Sequence, residues 1–493
     1  MHRLIATLAL ACLVAAPASA QDARAVVAAA SKAMGVDGLD AIHYYGSGAT
    51  FTIGQNNNAN MPWPRVNAND YVRAIDFRQP ASRATWVTWA VPVTGGAATQ
   101  GNGVQNITPA MTAWAQQLEI WVTPWGFLKG AASNAATVRT AVVGGRRMQV
   151  VTWSPAVKSP GGQNYRVVGY IGPENLVERV DTWVEHPFFG DVLVQNDYRH
   201  YRDSNGLKFP AEIVQSRGGF PVFEAYILGA HANPANLTAL MAQPAPAGPG
   251  APAGGRGVAP PGPASASAAP AASEKLADGV YRINGAYNAL AVEFRDHILL
   301  FEPGPQNEAR AQAIIAETKR LFPSKPIRYG VISHHHLDHT QGLPAVVAEG
   351  ITIVTHQANR AYIERAMTAP RTLAPDALAR SKRKPIIETI PGDMRVFRDD
   401  TRTVEIHLIK GLPHADGLLV AYLPNERILA YADMFNLPPA ATPVPNPPVV
   451  GTMVFADNLA RLQLAPERIL SVHTLNPDRL TSVDDILRSL GRK

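Results

Sequence analysis

The sequence predicts two folded parts of different class, a mainly β N-terminal domain followed by an α+β C-terminal domain. Three observations carry that reading. The chain has 493 residues, and a single hydrophobic core stops growing at roughly 250–300 residues. Residues 243–273 are almost wholly Pro, Ala, Gly and Ser, a composition that cannot bury enough apolar area to offset its ordering entropy and reads as a linker. The flanks also differ in kind: all eight Trp residues precede the linker, whereas eight of the fourteen His residues lie between His334 and His473. Apolar residues make up 46% and charged residues 17%, which marks a globular rather than a disordered chain. The net charge of +6 is spread over both halves without a long basic tract, so no nucleic-acid partner is expected.

Residues 1–20 read as a cleavable signal peptide. Arg3 gives a positive start, residues 4–15 are an apolar run, and Ala18-Ser19-Ala20 fits a small-residue cleavage site before Gln21. The expected location is therefore periplasmic or secreted. The run is too short to span a bilayer, and no later stretch is long enough either, so no stable membrane span is expected. Cys12 is the only cysteine and falls inside this segment. Lipid attachment there is disfavoured, because Ala9 stands where a large aliphatic is usual. The mature chain then has no disulfide and no thiolate, and any metal must be held by His, Asp or Glu.

In the N-terminal domain, residues 21–242, stretches such as 84–90, 148–153 and 165–170 are rich in β-branched and aromatic residues and read as strands. One helix is expected over 23–34, capped by Asp22. His43, His186, His200 and His231 have no ligand spacing. The Trp residues read as core, with a groove for an apolar ligand as the alternative, and Asn56 to Asn58 read as a loop. In the C-terminal domain, residues 274–493, strands are expected at 280–283, 289–294, 297–301, 328–332, 351–354, 404–409, 418–422, 428–431 and 469–472. The apolar period of Ala311, Ile314, Ile315, Thr318 and Leu321 predicts a helix over 308–322. A closing helix over 484–490 begins at a capping-box pattern, Ser482 to Asp485.

The segment that carries chemistry is Ser333 to His339 (SHHHLDH), directly after the strand at 328–332. In extended chain alternate side chains share a face. His334, His336 and Asp338 would then point one way and His335 and Leu337 the other, with His339 following as a helix begins near Thr340. Imidazole and carboxylate suit zinc or a similar divalent ion, and a His run between a buried strand and a helix is no surface tag. One segment cannot close two metal sites. His414, Asp433 and His473 each follow a predicted strand, and polar residues at such strand ends converge on one rim. His407 alternates with Ile406 and Leu408 and is expected to face solvent. His356 reads as a structural histidine near the rim, and residues 380–384 (RSKRK) as a solvated loop.

With these residues in place, the chain resembles the metallo-β-lactamase fold superfamily over about residues 276–493. The resemblance rests on His-x-His-x-Asp-His at 334–339, the later His414, Asp433 after a strand and the final His473, in that family's order. It implies an αββα sandwich with two divalent metal ions at its rim, zinc with iron or manganese as alternatives. His334, His336 and His414 would hold the first ion, Asp338, His339 and His473 the second, and Asp433 would bridge them. Asp416 reads as a turn residue. The family's Asp-x-Gly is here Glu302-Pro-Gly304, which puts Glu302 in the place of a carboxylate that supports a metal ligand. The family's Gly-Asp is here Ala432-Asp433. His336 separates the chain from the di-iron electron-transfer branch, which has a carboxylate there, and the bridging Asp433 fits the broader hydrolases better than the dedicated lactamases.

The expected function is hydrolysis of an ester, lactone, amide or related bond in a small-molecule substrate by metal-bound hydroxide, with Asp338 as the catalytic residue that orients the water. No Gly-x-Ser-x-Gly elbow offers a rival nucleophile. Two alternatives stand beside it: a periplasmic binding protein for an apolar ligand with a structural metal domain, and a mononuclear iron oxygenase. The full set of seven ligands argues against the second.

Overall fold

The computed structural model describes residues 22–90, 98–242, 270–439 and 442–492. The expected signal segment with Cys12, and residues 243–269 of the expected linker, lie outside the described residues. Among the described residues no helix is long and apolar enough to cross a membrane.

The N-terminal region is one antiparallel sheet of eleven strands. Two meanders are joined where its first strand, Ala41–Phe51, pairs with its last, Phe220–Ala232. The helix Ala23–Met34 is capped by Asp22, whose side chain accepts from the Arg24 N–H, as expected. Two helices, Trp114–Trp121 and Pro124–Ser133, were not expected. Their apolar faces lie in one core with Met34, Trp153 and Tyr165. Pro124 occupies the first turn of its helix, where it costs no hydrogen bond, and Thr123 caps it by accepting from the Gly126 N–H. Trp63, Trp114, Trp125 and Trp153 are buried, as the core reading requires, whereas Trp89 is exposed.

The C-terminal region is an αββα sandwich. A seven-stranded sheet and a five-stranded sheet face each other across Leu299, Phe301, Val331 and Val354 on one side and Ile406, Leu419, Ala430 and Leu470 on the other. The strand Ile298–Phe301 is buried on both faces: Leu299 and Phe301 enter the space between the sheets, while Ile298 and Leu300 pack under Ile314 of the helix Glu308–Leu321. Phe455 and Leu459 of the helix Val450–Arg461, with Ile486 of Val483–Ser489, cover the outer face of the second sheet. Truncating a buried Phe such as Phe455 to Ala in such a layer costs about 3–5 kcal/mol. His407 does not face solvent: it is 5% exposed, and its Nε2 meets Glu405 at 2.9 Å. The pairing carboxylate makes burial of the ring tolerable, which alternation alone could not reveal.

The two regions interlock. Phe188 of the N-terminal region is fully buried among Ile363 and Met367, and Leu373 of the C-terminal region packs into the N-terminal core. Around them the buried Arg371 donates to the carbonyls of Pro187 (3.0 Å) and Phe188 (2.6 Å), and Asp191 accepts from the N–H groups of Thr372 (2.9 Å) and Leu373 (3.0 Å).

The closing helix yields a test. Ser482 and Asp485 form the capping box, and Arg479 grips both oxygens of Asp485 at 2.8 and 2.9 Å. The Arg479 guanidinium first, then the Ser482 N–H and hydroxyl, hold this carboxyl down to about 2. Because its pKa is lowered on folding, its stabilisation is present above the ordinary carboxylate value of about 4 and is lost as pH falls towards 2. Asp485→Asn is expected to lower stability at pH 7 by about 1 kcal/mol in urea unfolding, with the gap from the parent narrowing between pH 4 and 2. Identical midpoints at pH 7 would show that the cap contributes nothing.

Candidate metal centre

Parallel pairing builds the site. Strand Ile298–Phe301 runs parallel to Ile327–Val331, and Ile428–Tyr431 parallel to Arg468–Ser471. Parallel neighbours end at the same edge of a sheet. Glu302 and the segment from Ser333 therefore emerge side by side from one sheet, and Asp433 and His473 side by side from the other. The edges meet, and His414 enters from the loop after Thr403–Leu408. Glu302 and Asp433 both adopt left-handed backbone conformations, φ 63° and 57°. That is uncommon for such residues and costs of order 1–3 kcal/mol where it occurs.

All seven side chains singled out in the sequence come together. Three groups each have ligand atoms within 4.8 Å of one another: His334, His336 and His414; His334, His339 and Asp433; and Asp338, His339 and His473. Asp433 is the common point. Its Oδ2 lies 2.8 Å from His339 Nε2, 3.6 Å from His334 Nε2 and 3.8 Å from His414 Nε2, and its Oδ1 lies 2.9 Å from His473 Nε2. Asp338 Oδ2 is 3.5 Å from His339 Nε2 and 3.8 Å from His473 Nε2. Asp338 reaches its place differently from the expectation. The extended segment stops at His336, which caps a short helix, Leu337–Thr340, so Asp338 and His339 project from its first turn.

The hydrogen bonds fix which ring nitrogens are free. His336 Nε2 lies 3.0 Å from the carbonyl of Asn56, which can only accept, so Nε2 carries the proton and Nδ1 presents a lone pair. His339 Nδ1 lies 2.8 Å from Glu302 Oε2, leaving Nε2 for the cluster, and the other oxygen of Glu302 accepts from the Ser333 N–H at 2.6 Å. Glu302, fully buried, thus orients the ring of His339 and the start of the His segment together. His334 Nε2, His336 Nδ1 and His414 Nε2 are buried with no hydrogen-bond partner, and Asp433 Oδ2 beside them has only His339 Nε2, at 2.8 Å. Buried polar atoms are almost always paired. Three orphaned imidazole nitrogens facing a buried carboxylate, a mix of borderline nitrogen and hard oxygen, fit a divalent cation such as zinc.

The electrostatics agree. Burial first, then the neighbouring imidazoles, lowers the pKa of His334, His336 and His414 and keeps them neutral, the form that binds metal. Burial would raise Asp433, but His339 and His473 hold it well below the carboxylate range. His339 alone goes the other way: against its burial, Asp338, Glu302 and Asp433 hold a proton on it. Three carboxylates in a buried pocket thus attract positive charge, which a proton supplies when no cation does.

Sequence reasoning missed the contributions of Gln55, Asn56 and Tyr287. Residues 52–64, from the N-terminal region, lie against the cluster. Gln55 Nε2 donates to Asp338 Oδ1 at 3.0 Å. The Asn56 carbonyl meets both His336 and His335, the latter at 2.8 Å. Asn58 donates to Asp416 at 3.0 Å, and the Asp416 N–H returns a bond to the Asn57 carbonyl at 2.6 Å. Gly54, at φ 72°, lies so close to Leu337 that a Cβ there would sit 2.2 Å from its side chain. Tyr287 donates to Asp338 Oδ2 at 3.0 Å. Asn56 to Asn58 carried a loop signal, but nothing local says where a loop lands. Asp416 is the turn residue expected, and His356 is hydrogen-bonded to the Ala358 N–H. Residues 380–384 are exposed.

Residues 282–469 match the model of the metallo-beta-lactamase superfamily. His473 lies just beyond the matched segment. No curated protein matches the sequence. Similar solved structures include a metallo-beta-lactamase from Pontibacter korlensis, 17% identical, covering 45% of this chain and 98% of that one at a TM-score of 0.32. A metallo-beta-lactamase from Hirschia baltica is 18% identical, with 45% and 98% coverage and a TM-score of 0.33. The rubredoxin oxygen:oxidoreductase of Desulfovibrio gigas is 18% identical, with 45% and 60% coverage and a TM-score of 0.32.

The bond from Glu302 to His339 gives a prediction. Glu302→Gln keeps the shape but removes the charge that fixes the ring, and is expected to weaken metal binding about 10–100-fold in competition with a chromogenic chelator. Undiminished affinity would mean that Glu302 does not support the centre.

Proposed function

The C-terminal region is a metallo-beta-lactamase superfamily domain, matched over residues 282–469, and from that premise we propose that the chain is an exported, binuclear metal-dependent hydrolase of an ester, lactone, amide or related bond. The observation that carries the reading is the set of buried, unpaired ring nitrogens on His334, His336 and His414 around the Asp433 carboxylate, beside Asp338, His339 and His473. His334, His336 and His414 would hold one ion, Asp338, His339 and His473 a second, and Asp433 would lie between them. Divalent ions bound there supply Lewis acidity and bring the pKa of water towards 7.

The chain's own residues do the rest. Gln55 and Tyr287 each donate to one oxygen of Asp338 and fix its plane, so Asp338 can orient a water and accept its proton. The Asn56 carbonyl and Glu302 set the tautomers of His336 and His339. Residues 52–64 exclude water from the His334–His336 side, which strengthens every electrostatic interaction inside. Superfamily membership by itself supports a hydrolase or an oxidoreductase. Histidine rather than carboxylate at position 336 favours hydrolysis.

A screen of metal-analysed protein against nitrocefin, lactones, p-nitrophenyl esters and phosphodiesters tests this. About two ions per chain are expected, with His336→Ala losing at least one and turnover falling by about 100-fold or more. Full turnover in that variant would overturn the mechanism.

A further inference from the structure

A cavity of about 460 Å³ lies between the two regions. Trp63, Leu118, Phe189 and Phe220 wall it from the N-terminal side, and Leu337 and Tyr362 from the C-terminal side. Gln55 and Asp338 also line it, so it touches the metal cluster at the carboxylate assigned to the water. A second cavity, of about 580 Å³ inside the curve of the N-terminal sheet, adjoins it, and Ile53, Ala115 and Arg217 line both.

Protein interiors hold few voids larger than a water molecule, and a space of this size with apolar walls and a few convergent polar groups is what a small-molecule site requires. Two donors in the wall are unsatisfied. The hydroxyl of Tyr362, a residue 4% exposed, and Nε of Arg217 are buried without a hydrogen-bond partner. The imidazole of His186 in the same wall is already used: its Nδ1 accepts from the N–H groups of Phe188 and Phe189 at 3.1 and 3.2 Å. Burial, then Arg217 and Arg371, pushes its pKa down to about 3, so it stays neutral. The cavity therefore offers largely aromatic and aliphatic walls with the carboxylates of Glu185 and Asp191 among them, two unpaired donors, the Tyr362 hydroxyl and the Nε of an Arg217 whose Nη2 is held by Glu119 at 3.4 Å, and a path to Asp338.

We propose that this cavity between the regions is the substrate pocket, and that it takes an apolar acyl or arylalkyl group bearing an oxygen acceptor for Tyr362 and Arg217. The proposal rests on the hydrolase reading above and names its substrate class. It also makes the N-terminal region half of the specificity site.

The test separates the two readings. Straight-chain carboxylates from acetate to decanoate are titrated calorimetrically into the full-length protein, and the matching p-nitrophenyl esters are assayed in parallel. Octanoate is expected to bind at least about tenfold more tightly than butyrate, since each buried methylene adds several-fold to affinity. Ala115→Phe extends a half-buried side chain into the junction of the cavities and should erase that advantage, and Tyr362→Phe should weaken octanoate by about fivefold. Affinity that does not rise with chain length in the parent protein overturns the pocket, as does an Ala115→Phe protein with parental circular dichroism and parental octanoate binding. If Ala115→Phe does not fold, the parent's chain-length series decides alone. Tight octanoate binding with no ester or lactone cleaved would overturn the hydrolase reading and leave an apolar-ligand site. Cleavage that is indifferent to chain length would overturn the pocket and leave the hydrolase.

Discussion

Four imidazoles converge on the single carboxylate of Asp433, and the rest of the C-terminal architecture is arranged around that meeting. His334 and His339 come from the end of one sheet, His473 from the end of the other, and His414 from a connecting loop, all within 3.8 Å of an Asp433 oxygen. Lone pairs on neutral imidazoles and oxygens of a carboxylate are all acceptors and do not satisfy one another. One proton on His339 meets part of the deficit, while the unpaired atoms of His334, His336 and His414 remain. Left-handed backbone at Glu302 and Asp433 adds strain at the same edge. An arrangement this unfavourable by itself persists because four layers of packed apolar side chains hold the strand ends in place, and it acquires a physical purpose when cations occupy it.

The N-terminal region belongs to this centre and is no mere attachment. Its residues 52–64 deliver a backbone carbonyl to His336 and an amide to Asp338, each an interaction that fixes how a ligand presents itself. Such contacts are only as exact as the docking of one region on the other. Phe188 and Leu373, each buried in the other region's core, with Arg371 and Asp191 tying backbone across the seam, supply that exactness. Packing far from the cluster is thereby coupled to the geometry inside it.

What the sequence disclosed follows from what local pattern can encode. The sandwich strands and the seven clustered residues were legible because buried parallel strands read as continuous apolar runs and because the His segment follows one of them. Asp338 was placed correctly for the wrong reason: alternation gives an extended chain, whereas His336 begins a helix. The helices Trp114–Trp121 and Pro124–Ser133 were hidden by their Trp, Ile and Phe content, which suits strands equally well, until Thr123 and Pro124 are recognised as a helix start. His407 was misplaced because burial of a polar ring depends on a partner, here Glu405, that periodicity does not weigh. Gln55 and Asn56 were beyond reach, since 283 residues separate Gln55 from Asp338 and no short-range signal spans that distance.

Exposure within the cluster is uneven, and the unevenness says where a reactant enters. The side chains of His334 and His339 are fully shielded, whereas Asp338 and His473 are 30% and 29% exposed. Residues 52–64 close the centre over His335 and His336, so approach is left to the side of Asp338 and His473. Asp338 is also where the cavity between the regions reaches the cluster. The segment that seals one side of the centre continues through Ile53 and Gln55 into the wall of that cavity, so one loop both excludes water from the ligands and shapes the space beside them. A change in the length or sequence of residues 52–64 would then alter ligand tautomer, carboxylate orientation and pocket shape together. Three properties that could have been tuned separately are tied to a single element whose position is fixed by the seam between the regions.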